Sequence, residues 1–386
     1  MAHLGPSKRP SLKDERLKSR IMQEAKQNLD VLTGIRFYAA LHVVLYHNLY
    51  LLGDISNSIP MAIKHFIYKG ESAVSFFFIL SGFILTHVYG SKVITIKQSK
   101  TFFLARIAKL YPLYILAMAM DIPRVFKMFM EKYGYSVGLL KFFISAVASL
   151  VMLQSWIPNL TPVWNSPAWS LSCEIFFYFS FIFIIPFMFR IKRIELWAMG
   201  FYLIPVILFF SLKYGLHVNL DQPFLRVLWR SLPLLRLFEF MIGILSYRLI
   251  TNENWKQRDF FKRFRSTIFW SCIFISILLT ILLKDWNIQV QYHLFYTPLF
   301  TLIIMSSYFG AIAFEQFFTS KLILLLGGAS YALYIIHQPF KYYFELFYTP
   351  SPQLFALYLL ALIIASIFLF KFFERPLQKA INKYFS

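Results

Sequence analysis

Apolar runs follow one another along the chain from Val31 to near its end, separated by short polar or basic stretches. They fall near 31–52, 70–90, 102–121, 139–156, 170–189, 195–212, 232–250, 266–283, 293–311, 322–345 and 353–373. A helix needs about 20 apolar residues to cross a bilayer, and a helix satisfies its own backbone groups in hydrocarbon. The pattern therefore predicts an all-α fold, a polytopic transmembrane helical bundle. Residues 1–28 are polar and basic and read as a cytoplasmic tail; residues 29–386 read as one transmembrane domain.

The eleven runs are one more than the charges allow. Lys and Arg close to span ends mark the cytoplasmic side. If 139–156 crossed fully, Arg190, Lys192 and Arg193 would lie outside, together with Lys256, Arg258, Lys262, Arg263 and Arg265. Treating 139–156 as re-entrant or interfacial returns both clusters to the cytoplasm, along with Lys92, Lys97, Lys100 and the C-terminal Lys371, Arg375, Lys379 and Lys383. About ten spans with both termini cytoplasmic is the expected topology, at the cost of placing Arg124, Lys127, Lys132 and Lys141 outside.

Composition agrees: 58% of the 386 residues are hydrophobic and 15% charged, against about 45–50% and about 25% in soluble domains. The net charge of +21 sits in the short segments between apolar runs, which fits cytoplasmic loops and anionic lipid headgroups rather than a nucleic-acid partner. Cys173 and Cys272 lie in or beside apolar runs at a spacing that suits neither zinc nor a redox pair. The basic N-terminus lacks a short apolar core with a small-residue cleavage site, so no cleavable signal is expected.

Ionisable side chains at depth cost at least about 2.5–3.5 kcal/mol, which makes each a functional candidate. The first run carries Arg36, His42 and His47. Eleven residues at about 100° each place Arg36 and His47 on one face, about 16 Å apart, with His42 nearly opposite. A guanidinium toward the cytoplasmic end can grip phosphate with two parallel hydrogen bonds; the bland reading is a headgroup anchor. An imidazole farther along can take a proton from an attacking hydroxyl, or can be a satisfied buried histidine.

Other runs add to this set. Ser81 and Gly82 interrupt the aromatic second run, where they either let helices approach closely or line a narrow channel. Arg106 and Lys109 stand at i and i+3 near the start of the third, as a phosphate grip or as topology alone requires. Trp169 precedes Glu174, a carboxylate that is a proton-linked member of the site, an orienter of His47 or half of an ion pair. Arg236 and Glu239 read as a local ion pair, His337 as a second catalytic or acceptor-binding group or a satisfied histidine, and Glu374 and Arg375 as an interfacial pair at the membrane exit.

In order along the chain, Arg36 and His47, FFFILSGF (76–83), ARIAKLYPLY (105–114), WSLSCE (169–174), RLFEFMIG (236–243), SYALYIIH (330–337) and FERP (373–376) resemble the membrane acyltransferase-3 family of O-acyltransferases. The resemblance runs from about Asp30 to Tyr384. It implies a ten-span bundle in the cell's inner membrane, an acyl-CoA donor, acetyl-CoA in the simplest case, entering from the cytoplasm, and a hydroxyl-bearing acceptor that is often a saccharide. It also implies that Arg36 and His47 are essential. Lys109 stands where an arginine is more usual.

On this reading Arg36, Arg106 and Lys109 hold the coenzyme A phosphates. His47 deprotonates the acceptor with Glu174 orienting it, and Ser81, Trp169 and His337 line the channel or acceptor site. No bound cofactor and no metal is expected. A proton-coupled transporter or flippase is the rival, since buried Arg, His and Glu mark carriers as well.

Overall fold

The computed structural model describes residues 12–90, 96–283 and 291–385, and all regular structure among them is helical. Its principal helices are α1 (Leu12–Asn48), α2 (Met61–Tyr68), α3 (Ala73–Tyr89), α4 (Ile96–Tyr133), α5 (Tyr135–Leu150), α6 (Trp169–Arg190), α7 (Ile194–Phe210) and α8 (Pro223–Ser231). The chain continues through α9 (Pro233–Thr251), α10 (Arg258–Leu282), α11 (Thr297–Tyr308), α12 (Lys321–Gly328), α13 (Ser330–Glu345), α14 (Pro352–Leu369) and α15 (Arg375–Phe385). Residues 1–11 of the expected tail and Lys92 lie outside the described residues; α1 runs unbroken past residue 28.

Seven helical stretches are long and apolar enough to cross a membrane, and α12 with α13 makes an eighth if the pair is one span bent by 59°. The chain is a multi-pass membrane protein. Two expected crossings are not among these stretches. α9 has the length, at 19 residues, but carries Arg236, Glu239 and Arg248. α11 has only 12 residues, preceded by the π-helical turn Tyr292–Tyr296. The run 322–345, expected as one span, is bent beside Gly327 and Gly328. α5 has 16 residues and ends where Met152 takes a φ of +55°, short of the length a crossing needs.

Small residues set the closest helix contacts. A Cβ on Gly82 would lie 2.0 Å from the Phe240 carbonyl oxygen, and one on Gly243 would lie 2.0 Å from that of Ile79, so α3 and α9 touch backbone to backbone. Gly327 does the same for α12 and α1, against Thr33, and Gly34 of α1 meets the backbone of Phe318 in the short helix Gln316–Thr319. Such contacts give helices dispersion energy where lipid offers no hydrophobic drive for association. Phe179, Phe183 and Phe187 on α6, and Leu360, Ile364 and Phe368 on α14, recur at four-residue steps and are exposed, as faces turned to acyl chains must be.

Candidate active site

A cavity of about 140 Å³ opens among α1, α3, α4, α6 and α13. Its wall gathers five of the residues singled out in the sequence: Arg36, Ser81, Arg106, Lys109 and Glu174, together with Tyr178 and Tyr334. The helix periods explain the convergence. Arg106 and Lys109 share a face of α4 by their i, i+3 spacing, and Glu174 shares a face of α6 with Tyr178, whose hydroxyl donates to its carboxylate at 3.1 Å. Arg106 donates to the Tyr89 hydroxyl at 3.2 Å and lies over the Tyr89 and Phe102 rings.

The cavity is electrostatically unbalanced. Arg36 and Lys109 feel each other's charge and those of Glu174 and Glu374, with Arg106 close enough to act on Lys109 and Glu174. Arg36, Arg106 and Lys109 are all half-buried and line the space. Three cations against two carboxylates leave an excess that suits an anionic group. Glu374 was expected beside Arg375 at the membrane exit. The structure places Glu374 in the interior: it is buried, with Oε2 lacking a hydrogen bond, and Lys109 and Arg36 act on its charge as well as Arg375, which lies over the Phe370 ring at 4.3 Å. The π-helical turn Phe370–Glu374 at the end of α14 turns the carboxylate inward.

His47 and His337 are not in this wall, but they stand together, ring centroids 5.3 Å apart. His337 is fully buried; its Nδ1 donates to the Tyr334 carbonyl at 2.6 Å, which leaves Nε2 as an acceptor without a partner. Tyr334 joins the two places. Its hydroxyl meets Ser170 at 2.8 Å and donates to the Pro167 carbonyl, in the cavity wall, and its ring is 6.1 Å from that of His337. Glu174 lies in the cationic cavity, where Tyr178 holds it. His42, on the other face of α1, donates from Nε2 to the Phe66 carbonyl and stacks on its ring, a satisfied structural histidine.

Trp169 lines neither place; its ring lies 5.8 Å from both the Arg230 and the Arg236 guanidinium. Arg236 makes the expected ion pair with Glu239, at 3.1 Å, and donates to Ser75 at 2.9 Å.

Residues 29–371 match the family model of an acyltransferase domain. The chain belongs to this acyltransferase family. The chain is similar to the acyltransferase MdmB of Streptomyces mycarofaciens, 30% identical over 243 residues that cover 59% of each chain. It is also similar to protein 2 in the picA locus of Rhizobium radiobacter, 39% identical over 99 residues, 25% of this chain and 46% of that one. The matches thus span about half the length of these relatives. No solved structure matches.

Proposed function

We propose that this acyltransferase is an inner-membrane O-acyltransferase that moves an acyl group, acetyl in the simplest case, from acyl-CoA to a hydroxyl of a carbohydrate or another small or lipid-linked acceptor. The observation that carries the reading is the cavity in which Arg36, Arg106 and Lys109 outnumber their carboxylates. Coenzyme A carries phosphates, and arginine binds phosphate through a planar fork that lysine lacks. With α9 and the segment ending in α11 counted as crossings, the chain has ten spans and both termini on the cytoplasmic side. Arg106 and Lys109 then stand toward the cytoplasm, where acyl-CoA is made.

In the reaction the donor phosphates rest on the three cations and the thioester passes Ser81 and Tyr334 toward His47. His47 accepts the proton of the acceptor hydroxyl, whose oxygen attacks the thioester carbonyl. The carbon–sulfur bond breaks, and the departing thiolate takes the proton from the imidazolium. Positioned acid–base catalysis of this kind contributes about 10²–10⁴-fold.

The test is transfer from labelled acetyl-CoA by purified protein in lipid, comparing the wild type with His47→Ala and following free coenzyme A and labelled product. Wild-type turnover with a loss of about 10²–10⁴-fold in the variant is the expected result. Equal rates would remove His47 from the chemistry, and no turnover by the wild type with any acyl-CoA would overturn the donor assignment.

A further inference from the structure

The cavity changes character along its length. Gly70, just before α3, sits so close to α1 that a Cβ there would be 2.4 Å from the His42 carbonyl oxygen and 2.6 Å from Tyr46 Cβ. Eleven residues further on, about 16 Å along a helix axis, Ser81 lines the cavity together with Arg36. α1 and α3 therefore run side by side in opposite directions, and the stretch from Val74 to Phe78 lies at heights between those of Arg36 and His47. Val74, Phe77 and Phe78 line the cavity there, with Leu171 of α6 and Tyr334 of α13. The cations hold one end of the space, and the end toward His47 is walled by hydrocarbon.

Of the three rings at this end, two are fixed. Phe78 is buried edge-on against Trp169 and Phe177, with the Arg236 guanidinium 5.1 Å from its centre. Tyr334 is tied through its hydroxyl to Ser170 and the Pro167 carbonyl. Phe77 has no polar anchor, and among residues 71–80 it alone is not buried. Its ring meets that of Tyr334 edge-on, with centroids 6.1 Å apart, and Tyr334 in turn neighbours His337. The Phe77–Tyr334 pair thus stands between the cations and the two histidines. At about 140 Å³ the cavity is close to the apolar cavity of about 150 Å³ that takes a single benzene. Part of its wall is cationic, so the hydrocarbon end has room for only a few carbons.

We propose that Phe77 sets the longest acyl chain this acyltransferase accepts: the tail of the thioester lies against Val74, Phe78 and Leu171, and the Phe77 ring closes the space beyond it. The assignment rests on the donor reading proposed above, with the phosphates on the cations. Phe77 is the wall that can be changed without breaking a hydrogen bond. A smaller side chain there lengthens the pocket, and a larger one shortens it.

The experiment measures binding of free coenzyme A and of its S-ethyl, S-butyl and S-octyl thioethers, which cannot transfer an acyl group. Purified protein in lipid nanodiscs is compared with empty nanodiscs, which report partition of the octyl chain into lipid. In the wild type the octyl thioether is expected to bind at least about tenfold more weakly than the ethyl one, the effect of a single misfitting methylene in an apolar pocket. Phe77→Ala is expected to remove that penalty, a gain of about tenfold or more for octyl relative to ethyl, and Phe77→Trp to extend it to the butyl thioether. Free coenzyme A carries no tail and is expected to bind all three proteins alike, which also reports that the variants fold. Wild-type binding that ignores chain length, or ratios unchanged in both variants, would overturn the role of Phe77 and leave the donor assignment standing. If Phe77→Ala loses free coenzyme A as well, Phe77→Trp decides, and an ethyl-to-butyl ratio equal to that of the wild type overturns the proposal. A wild type that binds neither coenzyme A nor any thioether would overturn the donor assignment, and the role of Phe77 with it.

Discussion

Arginine and glutamate meet inside the bundle in two ways. On α9, Arg236 and Glu239 are three residues apart on one helix; they are 1% and 0% exposed, and Ser75 and the rings of Phe78, Trp169 and Tyr292 close around the guanidinium. At the cavity, Arg36, Arg106, Lys109 and Glu174 come from three different helices and remain half-buried. A pair written into one helix turn finds its partner as soon as the helix forms, and the bundle can seal around it. Charges delivered by separate helices meet only when the bundle assembles, and here they meet around space with a cation in excess. The first arrangement is architecture and the second can take a ligand.

The strongest way to break that distinction is to remove Arg236. Taking one partner from a buried ion pair costs about 3–5 kcal/mol, because the other charge is left uncompensated. Arg236→Ala is expected to unfold at markedly lower temperature in lipid, whereas Arg236→Met combined with Glu239→Leu is expected to recover most of the loss, since similar-sized apolar replacements of buried pairs are often neutral or stabilising. Thermal unfolding of the three proteins measures this. Retained stability with abolished transfer in Arg236→Ala would move the α9 pair from architecture to chemistry.

A smaller effect is expected at Arg36, and of the other kind. Arg36→Lys keeps the charge but removes the fork. The lost charge-assisted hydrogen bond is worth about 1.5–3 kcal/mol, so half-saturation for acetyl-CoA should rise by about 10–100-fold while thermal unfolding of the ligand-free protein stays unchanged. A drop in unfolding temperature without a change in half-saturation would make Arg36 another sealed cation and erase the contrast with Arg236.

These residues also mark how far the sequence carried. Arg36, Ser81, Arg106, Lys109 and Glu174 stand out as polar positions in apolar runs, and periodicity turns Arg106 and Lys109 to a common face; their convergence from four helices on one cavity comes only with the assembled bundle. Glu374 reads in sequence as half of a local interfacial pair, and only the fold shows it buried, where Lys109 and Arg36 act on it as well as Arg375. Arg230 is far from His47 in sequence, and only the fold brings its charge within reach of the imidazole. The 59° break between α12 and α13 was hidden because Gly327 and Gly328 are also what a close helix contact requires, and the contacts with Thr33 and Phe370 decide between the two only in three dimensions. Tyr178, by contrast, could have been found: it follows Glu174 by four residues, the spacing at which helical side chains meet.

Tyr178 supplies the smallest and sharpest test of what Glu174 does in the cavity. Its hydroxyl donates to the carboxylate at 3.1 Å, and Tyr178→Phe removes that donor while keeping the ring. The hydrogen bond is worth about 0.5–1.5 kcal/mol. Without it, Glu174 has fewer competing partners and draws more strongly on Lys109 and Arg36, the groups proposed to hold phosphate. Half-saturation for acetyl-CoA should then rise by about two- to tenfold at an unchanged maximal rate. If the maximal rate falls instead, Glu174 acts on the chemical step near His47, as the sequence first suggested, despite its place in the cationic cavity. If only thermal stability moves, Glu174 is the anchor of an ion pair like Glu239, and the cavity's excess charge has to be counted from Arg36, Arg106 and Glu374 alone.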